Sequence, residues 1–232
     1  MCGRYVIALE GSALADALER RFGLEPTLPE VSVNYNAAPS QTLPVIVAER
    51  NASRRLEPMR WNLIPRWRPK PGTTPPSLFN ARSATVAQKP SFRKLVPQQR
   101  CLVPAAGFYE WQRTENGQKQ PYYFSLREKP FLAFAGIWDE WRDPEHPEAP
   151  PQRSYAILTT GPNRLMEPIH DRMPVILKPE DEAEWLSPDV TDPVQLERLY
   201  QPYSTDAMQR WPVSQAVNSP RQNKAELILN SQ

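Results

Sequence analysis

The chain has 232 residues, of which 40% are hydrophobic, and a formal net charge of +2, values that suit one large or two small globular domains. No apolar run approaches the roughly 18 residues of a membrane-spanning helix, and residues 1–9 lack the basic start and long apolar centre of a signal peptide, so we expect no membrane partner and a cytoplasmic or nucleoid-associated protein. Its two cysteines, Cys2 and Cys101, are expected to stay reduced in that compartment.

The chain begins Met1-Cys2-Gly3-Arg4. A small second residue is typical of chains that lose the initiator methionine, so we expect Met1 to be removed, which leaves an α-amine and a thiol on Cys2. An aldehyde can form an imine with such an amine, and the thiol can then close a five-membered thiazolidine ring. The pKa of an α-amine lies near ~7.7–8.0, so neutral amine is present at neutral pH. Position alone favours the alternative, a small buried residue that starts a strand.

Hydrophobic periodicity and capping residues predict the elements of the first third of the chain. They are a strand over Cys2–Leu9, a helix that starts at Ser12 and stops at Gly23, and strands over Leu43–Ala48 and Leu56–Trp61 with Asn51 in the turn between them. The segment Pro65–Pro76 contains five prolines and is expected to be a surface loop that carries Trp67 outward.

Basic residues are concentrated in one part of the chain. Eleven Lys or Arg residues lie between Arg54 and Arg100, against the single acidic residue Glu57, and aromatic residues are interleaved with them. Cations for phosphates and ring faces for bases are what binding of single-stranded nucleic acid requires. A solvated surface without a ligand explains the same pattern equally well.

A hairpin is predicted from Cys101–Trp111 and Gln120–Leu126, because Asn116-Gly117 is typical of a tight turn. Strand alternation places Phe108 and Glu110 on one face and the residues between and after them on the other. Glu110 is therefore either turned to solvent at a sheet edge or buried, and burial would raise its proton affinity and suit it to proton transfer.

The second half of the chain is predicted to contain the central strands. In chain order the predictions are a short helix over Ser91–Val96, strands over Phe131–Trp138 and Tyr155–Thr160, a helical turn over Gly161–Ile169, a strand over Pro174–Leu177, helices over Glu180–Leu186 and Asp192–Tyr200, and a partly extended tail. No repeat or domain boundary is visible. We predict one α+β domain over residues 1–232, with a mainly antiparallel, barrel-like β core and short flanking helices.

Few residues outside Cys2 and Glu110 could perform chemistry. His170 follows the predicted helical turn and is either a structural residue or a general acid or base, whereas His146 lies in a proline-rich loop. Cysteines and histidines match no metal-ligand spacing, and no phosphate-binding loop is present, so neither a metal nor a cofactor is expected.

Motifs over nearly the whole chain resemble those of the SOS-response-associated peptidase (SRAP) family, whose members shield abasic sites in single-stranded DNA. The motifs are Met1-Cys2-Gly3-Arg4, Tyr35-Asn36-Ala37-Ala38-Pro39, Trp61-Asn62-Leu63-Ile64-Pro65-Arg66-Trp67, Asn80-Ala81-Arg82, Arg100-Cys101-Leu102-Val103-Pro104, Gly107-Phe108-Tyr109-Glu110-Trp111, His170-Asp171-Arg172-Met173-Pro174 and Pro212-Val213-Ser214 with Val217-Asn218.

The resemblance implies a monomer that binds abasic single-stranded DNA and crosslinks it as a thiazolidine on Cys2. It also implies a role for individual residues: Asn80 orients the amine, Glu110 shuttles protons, His170 protonates the sugar ring oxygen, Arg4, Arg82 and Arg172 hold phosphates, Trp67 stacks on bases, and Asn36 is a further DNA contact. Two residues depart from the family pattern: Ala84 replaces an acidic residue and Asn62 replaces a common glycine.

Two other functions stay open at this point. Cys2 could serve as the N-terminal nucleophile of a thiol peptidase or amidase, including one that releases Met1 from its own chain, and strand cleavage by β-elimination could accompany crosslinking. The basic aromatic segment could also belong to a non-covalent binder of single-stranded DNA.

Overall fold

A computed structural model describes residues 2–8, 14–24, 32–48, 53–67 and 77–231. The strands are β1 Tyr5–Ile7, β2 Asn34–Ala37, β3 Thr42–Ala48, β4 Arg54–Trp61, β5 Asn80–Arg82, β6 Arg100–Ala105, β7 Gly107–Arg113, β8 Lys119–Leu126, β9 Leu132–Trp141, β10 Gln152–Thr160, β11 Met173–Pro174, β12 Ile176–Leu177 and β13 Met208–Pro212. The helices are α1 Leu14–Phe22, α2 Ser83–Val86, α3 Glu182–Leu186 and α4 Pro193–Leu196, with 3-10 turns at Pro179–Asp181, Glu197–Tyr200, Gln215–Asn218 and Ala225–Ile228. The predicted α+β class is confirmed.

The strands form two sheets and not the single barrel-like sheet that was predicted. The smaller has the order β13-β8-β7-β1-β2, and the larger runs β11-β10-β4-β3-β6-β9-β12, with β5 beside β10. Pairing between β9 and β10 closes five strands of the larger sheet into a ring. Among the named strands only the pairs of β10 with β4 and with β5 are parallel, so the mainly antiparallel character is confirmed.

An aromatic cluster joins the two sheets. Tyr5 of β1 packs edge-on against Trp61 at 5.0 Å between ring centroids, and Trp61 stacks on Tyr155 at 6.4 Å. The hydroxyls of Tyr5 and Tyr155 share a hydrogen bond of 2.7 Å, which satisfies two polar groups that are otherwise enclosed in the core. Burial of each ring removes a large apolar area from water, so this cluster fixes the start of the chain against the larger sheet.

The predicted strand Cys101–Trp111 is in fact two strands in different sheets. β6 pairs with β9 in the larger sheet, the chain crosses at Ala106, and β7 pairs with β1 and β8 in the smaller one. Gly107 permits the crossing, because a Cβ there would lie 2.4 Å from the carbonyl oxygen of Phe124 and from the ring of Tyr123. The predicted hairpin of β7 and β8 is confirmed, with a positive φ of 75° at Gly117.

Other predictions had mixed outcomes. α1 ends before Gly23, and Asp192 caps α4 by accepting a hydrogen bond of 2.9 Å from the backbone of Val194, as predicted. The helix predicted over Ser91–Val96 is wrong: these residues form turns, and the short helix α2 lies earlier. The N–H of Leu95 donates to the carbonyl of Phe92 at 2.8 Å, three residues earlier, as in a turn. The predictions for Ser12, Asn51 and residues 68–76 fall outside the described residues.

In the described part of the chain, no helix is both long and apolar enough to cross a membrane.

Replacement of Gly107 by alanine should destabilise the fold. The added methyl must displace the backbone of β8 or the ring of Tyr123, and overpacking of this kind costs about 1–3 kcal/mol. Gly161→Ala is the matched control, since a Cβ at Gly161 has nothing within 4 Å. We expect calorimetry to show a lower melting temperature for Gly107→Ala alone. Equal melting temperatures for the two variants would contradict the close approach.

Candidate active site

Cys2 precedes β1 and is part of the main hydrophobic core. β1 runs antiparallel to β7 with Tyr5 opposite Phe108, and the backbone N–H of Tyr109 donates to the carbonyl of Arg4 at 3.0 Å. Continuation of this register brings residues 2 and 3 alongside Glu110. Cys2 is fully buried, and burial together with the nearby Glu110 carboxylate raises the pKa of its thiol. The thiol is therefore protonated at neutral pH and needs a base in order to react.

Asn80 is bonded directly to Cys2. β5 places Asn80 opposite Ile157 of β10, and its side-chain Nδ2 donates to the Cys2 carbonyl at 2.8 Å. The Oδ1 of the same amide is buried and has no hydrogen-bond partner within the described parts of the chain. A buried acceptor without a donor is unfavourable by about 1–3 kcal/mol. It is suited to a donor that arrives with a substrate or that the loss of Met1 would expose.

The structure decides between the two alternatives for Glu110. Phe108 stacks on Phe124 at 5.1 Å in the main core, whereas Tyr109 belongs to a second apolar cluster, so the predicted alternation is confirmed. Glu110 shares the face of Phe108 and is only 2% exposed. It nevertheless lines an open cleft of about 510 Å³ together with His170. Of the two predicted alternatives, solvent exposure at a sheet edge or burial, the structure shows burial. The buried residue nevertheless borders a cleft.

His170 lines the same cleft as Glu110 of β7. Hydrogen-bonded turns precede it, in agreement with the predicted helical turn, and the N–H of His170 donates to the carbonyl of Met166 at 3.0 Å. The side chain of Gln112 connects these turns to β7 by donating to the carbonyl of Pro168 at 3.1 Å. The Nδ1 of His170 lies 2.8 Å from Asp171 Oδ1 and 3.0 Å from the backbone N–H of Arg172. The first contact requires a proton on Nδ1 and the second requires a lone pair there, so the two contacts correspond to different tautomers of the ring.

Arg82 and Arg172 meet at the end of β10. Arg82 is exposed and lies opposite Thr159 in the sheet register, and Arg172 donates from Nε to the Thr159 hydroxyl at 3.1 Å. Burial lowers the pKa of Arg172, and the positive charge of Arg82 lowers it further. Two guanidinium groups that repel each other at a surface form a site suited to an anion such as a phosphate.

Arg4 and Asn36 bind the C-terminal segment of the protein. Arg4 donates to Asn36 Oδ1 at 2.7 Å and to the carbonyl of Val217 at 2.8 Å. Asn36 is 1% exposed, and its Nδ2 donates to the carbonyls of Ser219 and Gln222. Burial of Asn36 argues against a direct contact with DNA, and both side chains hold one wall of the cleft in place. A phosphate contact by Arg4 stays a prediction.

That wall includes Asn218, which lines the cleft and which the DNA-contact prediction did not include. Asn218 Oδ1 accepts a hydrogen bond of 2.7 Å from the indole of Trp111, and its backbone carbonyl accepts one from Arg4. Gln112 is a second residue that sequence reasoning missed. Strand alternation places Gln112 two residues beyond Glu110 on the same face, which was the available signal.

Trp67 is 57% exposed, as the flanking residues predicted. The residue before it is fixed: Asp139 accepts hydrogen bonds of 2.8 Å from both the backbone N–H and the Nε of Arg66. The ring therefore projects from an anchored backbone.

Asn62, at the position where glycine is common, has a positive φ of 143°. This conformation costs about 1–3 kcal/mol for a residue other than glycine. Its Oδ1 accepts a hydrogen bond of 2.7 Å from the backbone of Leu78, which holds the segment that leads into Asn80.

Only some of the basic residues between Arg54 and Arg100 have side chains that are available at the surface. Arg100 is buried, and its guanidinium donates to the backbone carbonyls of Val96, Trp185 and Ser187. Arg54 donates to the carbonyl of Phe22. These arginines hold the fold together, so the count of basic residues overstated the charge available to a nucleic acid. Among the described residues there is no cluster of three or more His, Cys, Asp or Glu that could hold a metal ion.

Comparison with known proteins gives consistent results. The family described as SOS response associated peptidase (SRAP) matches residues 1–220. The chain is 43% identical over 230 residues to the abasic site processing protein YoqW of Bacillus subtilis, which covers 98% of this chain and 99% of that protein. It is 32% identical to the abasic site processing protein HMCES of Xenopus tropicalis, over 84% of this chain and 65% of that protein. A crystal structure of a Bacteroides thetaiotaomicron protein is similar with a TM-score of 0.81 and 25% identity, over 98% of this chain and 100% of that one.

Alkaline pH should destabilise the protein. Burial raises the pKa of the Cys2 and Cys101 thiols and of the Tyr5 and Tyr155 phenols. In the unfolded chain these groups lose protons above about pH 8.5 and about pH 10 respectively, while the folded chain keeps them. The unfolded state then binds fewer protons, so the free energy of unfolding falls as pH rises.

Urea unfolding between about pH 8 and about pH 10.5 measures this effect. Cys101→Ala removes one of the titrating thiols and should show a shallower fall than the wild type over the lower part of the range. A free energy of unfolding that stays constant or rises would contradict the burial of these groups.

Asn36→Ala should loosen the C-terminal wall. The variant removes the donor to the carbonyls of Val217, Ser219 and Gln222 and the acceptor for Arg4, a loss of about 1–3 kcal/mol. We expect faster amide hydrogen exchange over residues 217–222. In the control Gln222→Ala the accepting carbonyl is retained, so exchange should match the wild type. Unchanged protection in Asn36→Ala would show that the amide does not hold this segment.

Proposed function

The chain belongs to the SOS response associated peptidase (SRAP) family, and from this membership we propose that it processes abasic sites in single-stranded DNA by forming a thiazolidine crosslink on Cys2. The observation that supports the proposal most strongly is the placement of Cys2: Asn80 donates to its carbonyl, and Glu110 lies close enough to raise the pKa of its thiol. The similar proteins that are named abasic site processing proteins supply the substrate class.

Removal of Met1 is a condition of the proposal, because the nitrogen of Cys2 must be an amine and not an amide. The Oδ1 of Asn80, buried and without a partner among the described residues, then accepts a hydrogen bond from this amine and directs its lone pair. The amine is uncharged in part at neutral pH. The hydrogen bond thus satisfies a buried acceptor and orients the nucleophile at once.

The first chemical stage is imine formation. His170 donates a proton to the ring oxygen of the deoxyribose as the bond between C1′ and that oxygen breaks, and the C1′ hydroxyl gives up its proton to solvent as the aldehyde forms. The Cys2 nitrogen bonds to C1′, and the carbinolamine that results loses its hydroxyl as water. Glu110 passes the proton from the attacking nitrogen to this hydroxyl. General acid and base groups in hydrogen-bond reach of such steps typically contribute about 10²–10⁴-fold in rate.

The second stage is ring closure. The Glu110 carboxylate takes the proton of the Cys2 thiol, the sulfur bonds to C1′, and the electron pair of the C=N bond returns to nitrogen. Glu110 then delivers the proton to this nitrogen, which completes the thiazolidine and restores the carboxylate. One water is lost over the two stages. The raised pKa of the thiol makes a base necessary for this stage and keeps the thiol from oxidation until an imine is present.

DNA is held by groups at the rim of the site. Arg82 and Arg172 bind phosphates that flank the lesion, and Trp67 stacks on a base, for which its exposure suits it. We propose that the protein acts as a monomer, in the cytoplasm or on the nucleoid. A β-elimination side reaction, which would start from the same imine, is part of the proposal.

A peptidase activity, which the description of the family names, is the alternative that uses the same thiol. Hydrolysis leaves no stable product on the protein and needs no aldehyde. The two activities therefore give different products in one assay.

Cys2→Ala should abolish crosslinking, because it removes the sulfur that closes the ring. The mature protein is incubated with a single-stranded oligonucleotide that contains one abasic site and is analysed on a denaturing gel. We expect a shifted band for the wild type and none for the variant. Cys101→Ala is the matched control, since it removes the other buried thiol and should leave the band unchanged.

An intact oligonucleotide without an abasic site should give no band with any of these proteins. Absence of a band with the wild type on abasic DNA would exclude the crosslink. Release of a peptide product in its place would favour the peptidase.

A further inference from the structure

Two cations face each other at the end of the β7–β8 hairpin. Arg113 of β7 lies directly opposite Lys119 of β8, and both are exposed. Both also line the cleft that contains Glu110 and His170. Like charges at directly opposite positions of an antiparallel pair are destabilising. In the part of the chain that the structure describes, no ion pair relieves this repulsion.

The backbone that carries the pair is held rigid. Both the backbone N–H and the hydroxyl of Thr114 donate to the carbonyl of Gln118, at 2.9 and 3.0 Å. The carbonyl of Lys119 accepts a hydrogen bond of 2.8 Å from the side chain of Gln215 in the C-terminal wall. The hairpin end is therefore fixed to the wall of the cleft, and the two charged side chains extend from a preorganised frame.

The pair is well placed for the DNA that reaches the reactive centre. Arg113 is three residues beyond Glu110 along β7, which corresponds to about 10 Å, or about three steps of a stacked nucleic acid strand. Alternation places its side chain on the face of Trp111, and both residues line the same cleft as Glu110. Arg82 belongs to β5 of the larger sheet and Arg172 directly precedes β11 of that sheet, whereas the hairpin belongs to the smaller one. The two cation pairs thus lie on different parts of the fold.

We propose that Arg113 and Lys119 form a second phosphate clamp, which holds the DNA backbone on the flank of the lesion that Arg82 and Arg172 do not hold. The proposal rests on the proposed function, since it assigns a ligand to the same cleft. A phosphodiester between the two cations neutralises their repulsion, and the guanidinium supplies paired donors to its oxygens. With the DNA backbone held on both sides of the abasic site, the C1′ atom of the site is positioned at Cys2.

Salt dependence of non-covalent binding tests the clamp. Binding is measured in a Cys2→Ala background to an oligonucleotide with a tetrahydrofuran abasic analogue, which has no aldehyde. A plot of log K against log salt has a negative slope. In the variant Arg113→Gln with Lys119→Gln, this slope should be less steep than in the parent by about 0.7–1.4, the value for one or two phosphate contacts on a single strand. The control Arg127→Gln with Lys129→Gln removes the same charges from a different cleft and should leave the slope unchanged.

Exchange of the two residues, Arg113→Lys with Lys119→Arg, keeps both charges and should retain the slope of the parent. Circular dichroism checks that each variant is folded. An unchanged slope in the neutral pair, or an equal decrease in the control pair, would overturn the clamp.

Shortened oligonucleotides locate the flank. In one the analogue is the 5′-terminal nucleotide and in the other it is the 3′-terminal nucleotide. Neutralisation of Arg113 and Lys119 should weaken the binding of only one of them, and equal weakening of both would overturn the assignment to one flank. The crosslinking assay with the wild type is run in parallel. No adduct there, combined with a changed slope here, would reject the thiazolidine and leave the clamp standing.

Discussion

The pairing of β1 with β7 is the constraint on which the site depends. The hydrogen bond from the Tyr109 backbone to the Arg4 carbonyl sets the register, and that register carries Cys2 past the end of the strand to Glu110. Tyr5 fixes the same strand to the larger sheet through its bond with Tyr155. Because β1 has only three residues, two contacts of this kind determine where the reactive residue lies. The fold and the chemistry therefore share one short strand.

Residues far apart in the sequence surround that strand. Asn80 reaches Cys2 from β5, Glu110 from β7, and His170 follows a run of turns tied to β7 by Gln112. Side-chain amides make several of the long-range connections, and they satisfy backbone carbonyls that lie outside regular strands and helices. This explains how a chain rich in proline and short in helix forms an ordered cleft. The reactive groups lie on strands and anchored turns, which suits chemistry that needs fixed positions.

Local patterns predicted local features well. Alternation gave the face of Glu110, and the charged and proline-rich surroundings of Trp67 gave its exposure. Alternation could not reveal whether Glu110 is buried, because the other sheet decides that. The run Cys101–Trp111 has the pattern of one strand, because the crossing at Ala106 depends on the close approach of Gly107 to β8. A count of charges likewise could not show that the guanidinium of Arg100 donates its hydrogen bonds to backbone carbonyls inside the protein. The resemblance named the site residues, but only the structure shows Asn36 bound to the C-terminal wall.

The central claim is that the amine and the thiol of Cys2 both bond to one carbon of an abasic site. Intact-mass spectrometry of the protein, before and after incubation with an abasic single-stranded oligonucleotide, tests this most directly. The account predicts a starting mass that lacks Met1 and a product heavier by the oligonucleotide less one water, which persists without a reducing agent. A protein that retains Met1 and still forms this adduct would contradict it, as would a mature protein that gains no mass.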